Sequence, residues 1–171
     1  MADFLNDLPL SSRRRRDEST VGDRGAQVDV LVQTARELID SAPLAQRESL
    51  ATAFLASAGL KGDALSDAHS PATTTRDASI RDLDRALYAL LDLAEALDTD
   101  PEIDGLTTGA VALYRSGRVR FPQKAVVHGS TLRATDADWQ IGYGPVLEGT
   151  ALEIVRFFDG RGTWPAGTTP R

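Results

Sequence analysis

Apolar residues recur at three- and four-residue steps along the first half of the chain, which is the spacing of one face of an α-helix. The pattern predicts a first helix over about 26–41, with Pro43 beyond its end, and a second helix over about 44–58. Gly59 follows the second helix directly, at the position where a residue in the left-handed conformation commonly ends a helix. We expect the two helices to form an antiparallel hairpin.

The most regular apolar pattern follows a polar linker predicted over 59–77. Either Asp77 or Ser79 can cap the third helix, because both side chains accept a hydrogen bond from a first-turn amide. Such a narrow seam packs along another helix, either inside one chain or in a dimer through the Ile80–Leu97 helix. The seam is too short to favour a dimeric coiled coil, so the intramolecular bundle is preferred. Its residues are Ile80, Leu83, Leu87, Leu90, Ala94 and Leu97.

A short fourth helix is predicted from about Asp104 to Arg115. Its apolar residues fall on one side of the helix. They are Leu106, Ala110, Leu113 and Tyr114.

The period then changes to that of β-strands. Segments 124–128 and 131–135 flank Gly129-Ser130, a two-residue connection typical of a hairpin. A third strand is predicted over 139–143 and a short fourth over 145–148. Together they would form a four-stranded antiparallel meander.

The last helix is predicted to begin at Ala151, because Thr150 and Glu153 have the spacing of a capping box. Gly160 ends this helix. Its buried residues are expected to be Leu152, Val155 and Phe158, flanked by Ile154 and Phe157.

These elements define an α+β fold: a helical layer followed by a small antiparallel β meander closed by a C-terminal helix. The two parts are expected to share one core. The predicted organisation is a disordered, arginine-containing arm at 1–24, a helical region at 25–116 with its linker at 59–77, the meander and helix at 117–164, and a tail at 165–171.

Composition narrows the function. The 171 residues contain no cysteine, which excludes disulfides and thiolate chemistry. No apolar run reaches the roughly 18 residues of a membrane span, so no membrane partner is predicted. Acidic residues follow the N-terminal arginines where a secretion signal would be apolar, so a cytoplasmic location is expected.

Four consecutive arginines, Arg13, Arg14, Arg15 and Arg16, could tether the chain to nucleic acid or to an acidic protein. The net charge of −6 opposes binding to a phosphate backbone, and no aromatic platform accompanies the cluster. A solvated arm is the favoured interpretation, so nucleic acid is a disfavoured partner.

Candidate binding residues lie on the third strand and the third helix. Trp139 and Tyr143 should point to one side of their strand, where they either line a shallow aromatic surface or pack against the third helix. Leu87 and Leu90 of the helical seam complete the predicted contact surface. A protein segment or a small apolar ligand would suit these residues.

Polar chemistry is less clearly indicated. His128 could accept a proton near neutral pH, but a surface residue beside a turn is the favoured interpretation. Several helical carboxylates could hold a hard cation, yet they lie opposite the apolar stripes and are expected to be solvated. These residues are Glu37, Asp40, Asp82, Asp84, Asp92 and Glu95.

One block near the C-terminus, about residues 130–161, has a distinctive order: an acidic pair and a tryptophan, then Gly-x-Gly-Pro, then a glycine before a helix that ends in Gly-Arg. This block resembles the C-terminal segment of the actinobacterial mycothiol-dependent maleylpyruvate isomerase family. The matching residues are Asp136, Asp138, Trp139, Gly142, Gly144, Pro145, Gly149, Ala151, Gly160 and Arg161.

The resemblance implies a sterol-carrier-like α+β module that follows a four-helix bundle. In that family the bundle holds a metal through histidines, whereas this chain has only His69 and His128, and neither matches. We therefore assign no catalytic residue, no metal and no cofactor. The favoured function is a non-catalytic binding or assembly protein that resembles the accessory module. The alternatives are a mycothiol-dependent isomerase or transferase with a reduced helical part, and an adaptor that uses the arginine arm.

Overall fold

The computed structural model describes residues 23–65, 78–119 and 121–161. Within these ranges the α+β class is confirmed. A 3-10 turn, Gly62–Leu65, lies in the predicted linker. The last two residues of the predicted arm, Asp23 and Arg24, belong to the start of the first helix, whereas residues 1–22 and the tail lie outside the described residues. The elements are α1 (Arg24–Ser41), α2 (Leu44–Ala58), α3 (Ile80–Ala96), α4 (Gly105–Ser116), α5 (Phe121–Gly129), β1 (Thr131–Ala134), β2 (Gln140–Gly142), β3 (Val146–Gly149) and α6 (Ala151–Asp159).

The first two helices begin and end close to the predicted residues. Asp23 caps α1, because its carboxylate oxygen accepts hydrogen bonds from the amides of Gly25 and Ala26. Gly59 ends α2 in the left-handed conformation, with φ 71°. Both helices pack against α3.

Helix α3 is the centre of the molecule. Ser79 caps its first turn in a reciprocal capping box with Asp82, which settles the choice between Asp77 and Ser79. Hydrogen bonds from Ser79 hold the pKa of the Asp82 carboxyl below its usual value. Helices α1, α2 and α4 all contact α3. Its buried residues are Leu83, Asp84, Ala86, Leu87, Tyr88, Ala89, Leu90, Leu91, Leu93 and Ala94.

One hydrophobic cluster joins the helical layer to the C-terminal part, as expected from the sequence. Leu87 and Leu90 of α3, Leu132 of β1 and Ile154 of α6 all belong to this cluster and are fully buried. The chain therefore folds its helices and its small sheet around a shared core.

The apolar side of α4 that the sequence shows is not the side that faces the core. Leu106 and Leu113 point to solvent, and the residues that face the core are Thr107, Thr108, Val111 and Ala112. The buried hydroxyls are tolerated because they are hydrogen-bonded: Thr107 Oγ1 donates to Asp104 Oδ2 at 2.5 Å, and Thr108 Oγ1 lies 3.2 Å from the Asp104 carbonyl oxygen. The spacing of apolar residues alone does not show that these buried hydroxyls have hydrogen-bond partners.

The predicted four-stranded antiparallel meander is wrong. The sheet has three strands in the order β2-β1-β3, with β1 antiparallel to β2 and parallel to β3. Segment 124–128 lies in α5 and not in a strand. Because β2 and β3 occupy both edges of β1, no edge of β1 remains for a further strand, and tertiary context overrides the strand propensity of Val126 and Val127.

The link from β2 to β3 crosses the start of β1 in three residues, Tyr143, Gly144 and Pro145. Gly142 and Gly144 have φ of 102° and 122°, values that residues with a side chain rarely adopt. The amide of Thr131 donates to the Pro145 carbonyl oxygen at 2.9 Å, which fixes the crossing to β1. The glycines predicted as simple strand reversals therefore shape a crossover.

Helix α6 begins at Ala151, with the predicted Thr150 and Glu153 capping box, and ends at a left-handed Gly160. Its core side is broader than predicted, because Ile154 and Phe157 are buried along with Val155 and Phe158, whereas Leu152 is half-buried. None of the helices in the described ranges is long and apolar enough to span a membrane.

Replacing Gly142 tests the crossover. A Cβ atom at this position would lie 2.2 Å from the Ser130 carbonyl oxygen, so Gly142→Ala should lower the free energy of unfolding by at least about 2 kcal/mol. The matched control is Gly117→Ala, where φ is −76° and a Cβ would meet nothing within 4 Å. It should leave stability unchanged or raise it by up to about 1 kcal/mol. Denaturant unfolding followed by circular dichroism measures both, and equal effects would contradict the crossing geometry.

Replacing Ser79 tests the cap of α3. Ser79→Ala should cost about 1 kcal/mol at pH 7. Because the pKa of Asp82 is lowered in the folded state, its contribution is present above the usual pKa of 3.8 and is lost as pH falls through the folded-state value. The cost should therefore shrink in unfolding experiments at about pH 3. Ser49→Ala, which removes an exposed hydroxyl bonded to the Gln46 carbonyl, should show no such pH dependence.

Candidate functional site

Helix α4 is held by the tryptophan that precedes β2. A Cβ atom on Gly109 would lie 3.0 Å from Cδ1 of Trp139, so the indole ring lies against the bare backbone of α4 at this residue. The indole Nε1 donates to Thr108 Oγ1 at 3.2 Å. Trp139 thus packs against α4, and a side chain at position 109 would displace it.

A network of ion pairs holds the C-terminal end of α4. Arg115 Nε and Nη2 donate to the two carboxylate oxygens of Asp84 at 2.5 and 2.9 Å. Arg115 Nη1 also lies 3.5 Å from Asp159 Oδ1, and Asp159 accepts from Arg161 Nε at 2.6 Å. Arg161 pairs in turn with Asp92. This ion-pair network connects α4, α3 and α6 through alternating positive and negative side chains.

Tyr88 also contacts this ion-pair network, and we call Tyr88, Asp84 and Arg115 the junction. The Arg115 guanidinium lies over its ring, 4.3 Å from the centroid, and its hydroxyl donates to the Val155 carbonyl oxygen at 2.8 Å. Burial raises the pKa of the Tyr88 hydroxyl well above its ordinary value. Burial opposes the positive charge of Arg115, but the hydrogen bond to Asp84 and the nearby charges outweigh it, and the net pKa of Arg115 is raised. Arg115 therefore keeps its positive charge at physiological pH.

The outward side of α4 is apolar and exposed. Leu106 and Leu113 keep 68% and 65% of their surface in water. Both are helical neighbours of Gly109, at i−3 and i+4, so they flank the place where Trp139 packs. Ala110 lies between them and is half-buried. We call Leu106, Ala110 and Leu113 the α4 face.

A polar cleft of about 480 Å³ lies where the end of α3 meets α6. Arg156 in this cleft pairs with Asp100 at 3.2 Å, and Arg161 pairs with Asp92 and Asp159. Because both arginines are already paired with carboxylates, their capacity to attract an anionic ligand is reduced. The lining residues are Leu91, Glu95, Asp98, Thr99, Asp100, Arg156 and Arg161.

The structure separates the contact residues predicted from the sequence. Leu87 and Leu90 are fully buried in the core, so the prediction that they present a binding surface is wrong: α1, α2 and α4 already cover α3. Tyr143 is 91% exposed at the tip of the crossover, whereas Trp139 is half-buried against α4. The two aromatic residues therefore do not form one surface: the tryptophan packs against α4, and the tyrosine is exposed to solvent. Arg13, Arg14, Arg15 and Arg16 lie outside the described residues.

One of the helical carboxylates differs from its predicted environment. Asp84 was expected to be solvated, but it is buried and paired with Arg115. His128 is exposed on α5 and does not flank a hairpin, and His69 lies outside the described residues. Within the described ranges no three carboxylates or histidines group as ligands for a metal, so the described residues do not fit the metal that the family resemblance implies.

Comparison with known proteins returns nothing: no family model matches this chain, and no curated protein or solved structure matches it. The resemblance of about residues 130–161 to the isomerase family therefore stays an interpretation of the motif.

Sequence reasoning missed the exposed α4 face and the buried ion pair. A signal for the ion pair was present, because Asp84, Tyr88 and Leu91 follow each other at helical spacing and so share one side of α3. A signal for the α4 face was also present, because Gly109 in mid-helix is a site where another group can approach the backbone.

Replacing Arg115 tests the junction. Arg115→Met should lower the free energy of unfolding by about 3 kcal/mol, because it leaves the Asp84 carboxylate buried without a counter-charge. The Asp84→Leu/Arg115→Met variant should recover much of this loss, because neither charge then remains. The control is Arg133→Met, which breaks an exposed pair with Glu148 and should change stability by less than about 1 kcal/mol. Equal losses in Arg115→Met and Arg133→Met, measured by denaturant unfolding, would contradict a buried ion pair.

Proposed function

We propose that the chain is a binding or assembly protein and that the α4 face is its contact surface. The observation that carries this proposal is the pair of exposed leucines, Leu106 and Leu113, which lie one above the other on the same side of one helix. Single exposed apolar residues are ordinary on a protein surface, but adjacent ones around a tryptophan are typical of interaction sites.

The support of α4 fits this role. The helix packs against α3 and α6, Trp139 holds its middle, and Arg115 holds its last turn. A surface fixed on several sides loses little conformational entropy when a partner binds. The expected partner is a protein segment that presents aliphatic side chains, because leucine and alanine offer shape and apolar area but no hydrogen bonds.

Site-specific photo-crosslinking in the native cell tests this function. A benzoylphenylalanine residue at position 106 should give a discrete product, identified by mass spectrometry, because this position lies within the contact surface. Leu113→Glu in the same chain should abolish the product. Leu44→Glu should not, although Leu44 is 82% exposed on another helix. The probe at position 44 should not give the same product.

The absence of any product from position 106, or an identical product from position 44, would refute the proposal. Thermal unfolding of the Leu113→Glu and Leu44→Glu variants should match that of the unmodified chain, because both leucines are exposed.

A further inference from the structure

The α4 face is symmetric along the helix. Leu106 and Leu113 lie on either side of the small residues Gly109 and Ala110. At 1.5 Å of rise per residue, the two leucines are separated by about 10 Å along the axis. If the direction of the helix is reversed about its middle, each leucine falls on the position of the other.

The ends of α4 carry opposite charges. Glu102 and Asp104 precede the helix, and both are exposed. Arg118 follows the helix and is exposed, with its guanidinium 3.9 Å from the centroid of the Tyr114 ring. The helix dipole has the reverse order, positive at the first turn and negative at the last. Two antiparallel copies would therefore place opposite side-chain charges and opposite dipole ends beside each other.

We propose that the occupant of the α4 face is a second copy of this chain, packed antiparallel across a two-fold axis. Leu106 of one copy then contacts Leu113 of the other, and Ala110 lies near the crossing, where a small side chain lets two helices approach closely. A parallel arrangement would set like charges side by side. This inference rests on the proposed function and names its partner.

The dimer is expected to be weak. Helix α4 has 12 residues and so is about 18 Å long, and its outward side offers less than the roughly 800 Å² per partner of a standard interface. Interfaces of this smaller size class are typical of transient complexes, so we expect a reversible monomer–dimer equilibrium. Such an equilibrium is visible in sedimentation velocity over a range of concentrations.

Sedimentation velocity of the full chain between about 10 and 500 µM tests the dimer. The weight-average sedimentation coefficient should rise with concentration. Leu113→Glu should remain monomeric throughout, whereas Leu44→Glu should behave as the unmodified chain. An unmodified chain that is monomeric at every concentration would overturn the inference, as would an equal loss of association in Leu113→Glu and Leu44→Glu.

Charge reversal tests the orientation. Glu102→Arg and Arg118→Glu should each weaken association about three- to tenfold, because each places like charges at both ends of the helix pair. The double variant should recover the original affinity, and an equimolar mixture of the two single variants should form heterodimers. Higher salt should reduce these differences. Single variants that associate as tightly as the unmodified chain would exclude the antiparallel arrangement.

The failure of this inference can be told apart from the failure of the proposed function. A monomeric chain whose position 106 still crosslinks to a different protein would overturn the two-fold dimer and retain the binding role. A crosslink between two copies at position 106, together with concentration-dependent sedimentation, would support both.

Discussion

The burial of α3 on most of its circumference is the constraint on which the structure depends. Helices α1, α2 and α4 all pack against it. A helix enclosed in this way must keep its polar groups paired, which is why Asp84 accepts two hydrogen bonds from Arg115 and why the Tyr88 hydroxyl reaches the Val155 carbonyl oxygen. These polar contacts also fix α4 and α6 relative to the central helix.

The same burial decides which surface is left for partners. An apolar seam on α3 looks like a contact surface in the sequence, but its leucines are used to build the core. Helix α4 buries threonine, valine and alanine instead, and its leucines remain in water. The exposed leucines therefore lie on the helix whose inner side is the less apolar in sequence, because Asp104 and Trp139 form hydrogen bonds with its buried hydroxyls.

The C-terminal block follows a related logic. Strand β1 lies between β2 and β3. After β2, the polypeptide crosses to the other edge of β1 in three residues, and glycine provides the backbone conformations that this crossing needs. Several of the residues that carry the resemblance to the isomerase family lie in or beside this small sheet: Trp139, Gly142, Gly144, Pro145 and Gly149. Gly142 and Gly144 allow the crossing, and Trp139 connects the sheet to α4. This block thus has a structural role in this chain that does not depend on any catalytic activity.

The sequence by itself determined the features that depend on nearby residues. The bounds of α2, the cap at Thr150 and the stops at Gly59 and Gly160 were predicted, and the cap of α3 was narrowed to Asp77 or Ser79, because helix ends are fixed by side chains within a few positions. The α+β class followed from the change of apolar period.

Only the tertiary structure decided which surfaces face each other. Residues 124–128 carry strand-forming valines but lie in a helix, because the edges of β1 are taken by segments that come later in the chain. The solvent exposure of Leu106 and the burial of Asp84 depend on partners more than 30 residues away, Trp139 for α4 and Arg115 for the carboxylate. Local periodicity contains no information about such partners, since the free energy of burial depends on what covers a residue and not on the residue alone.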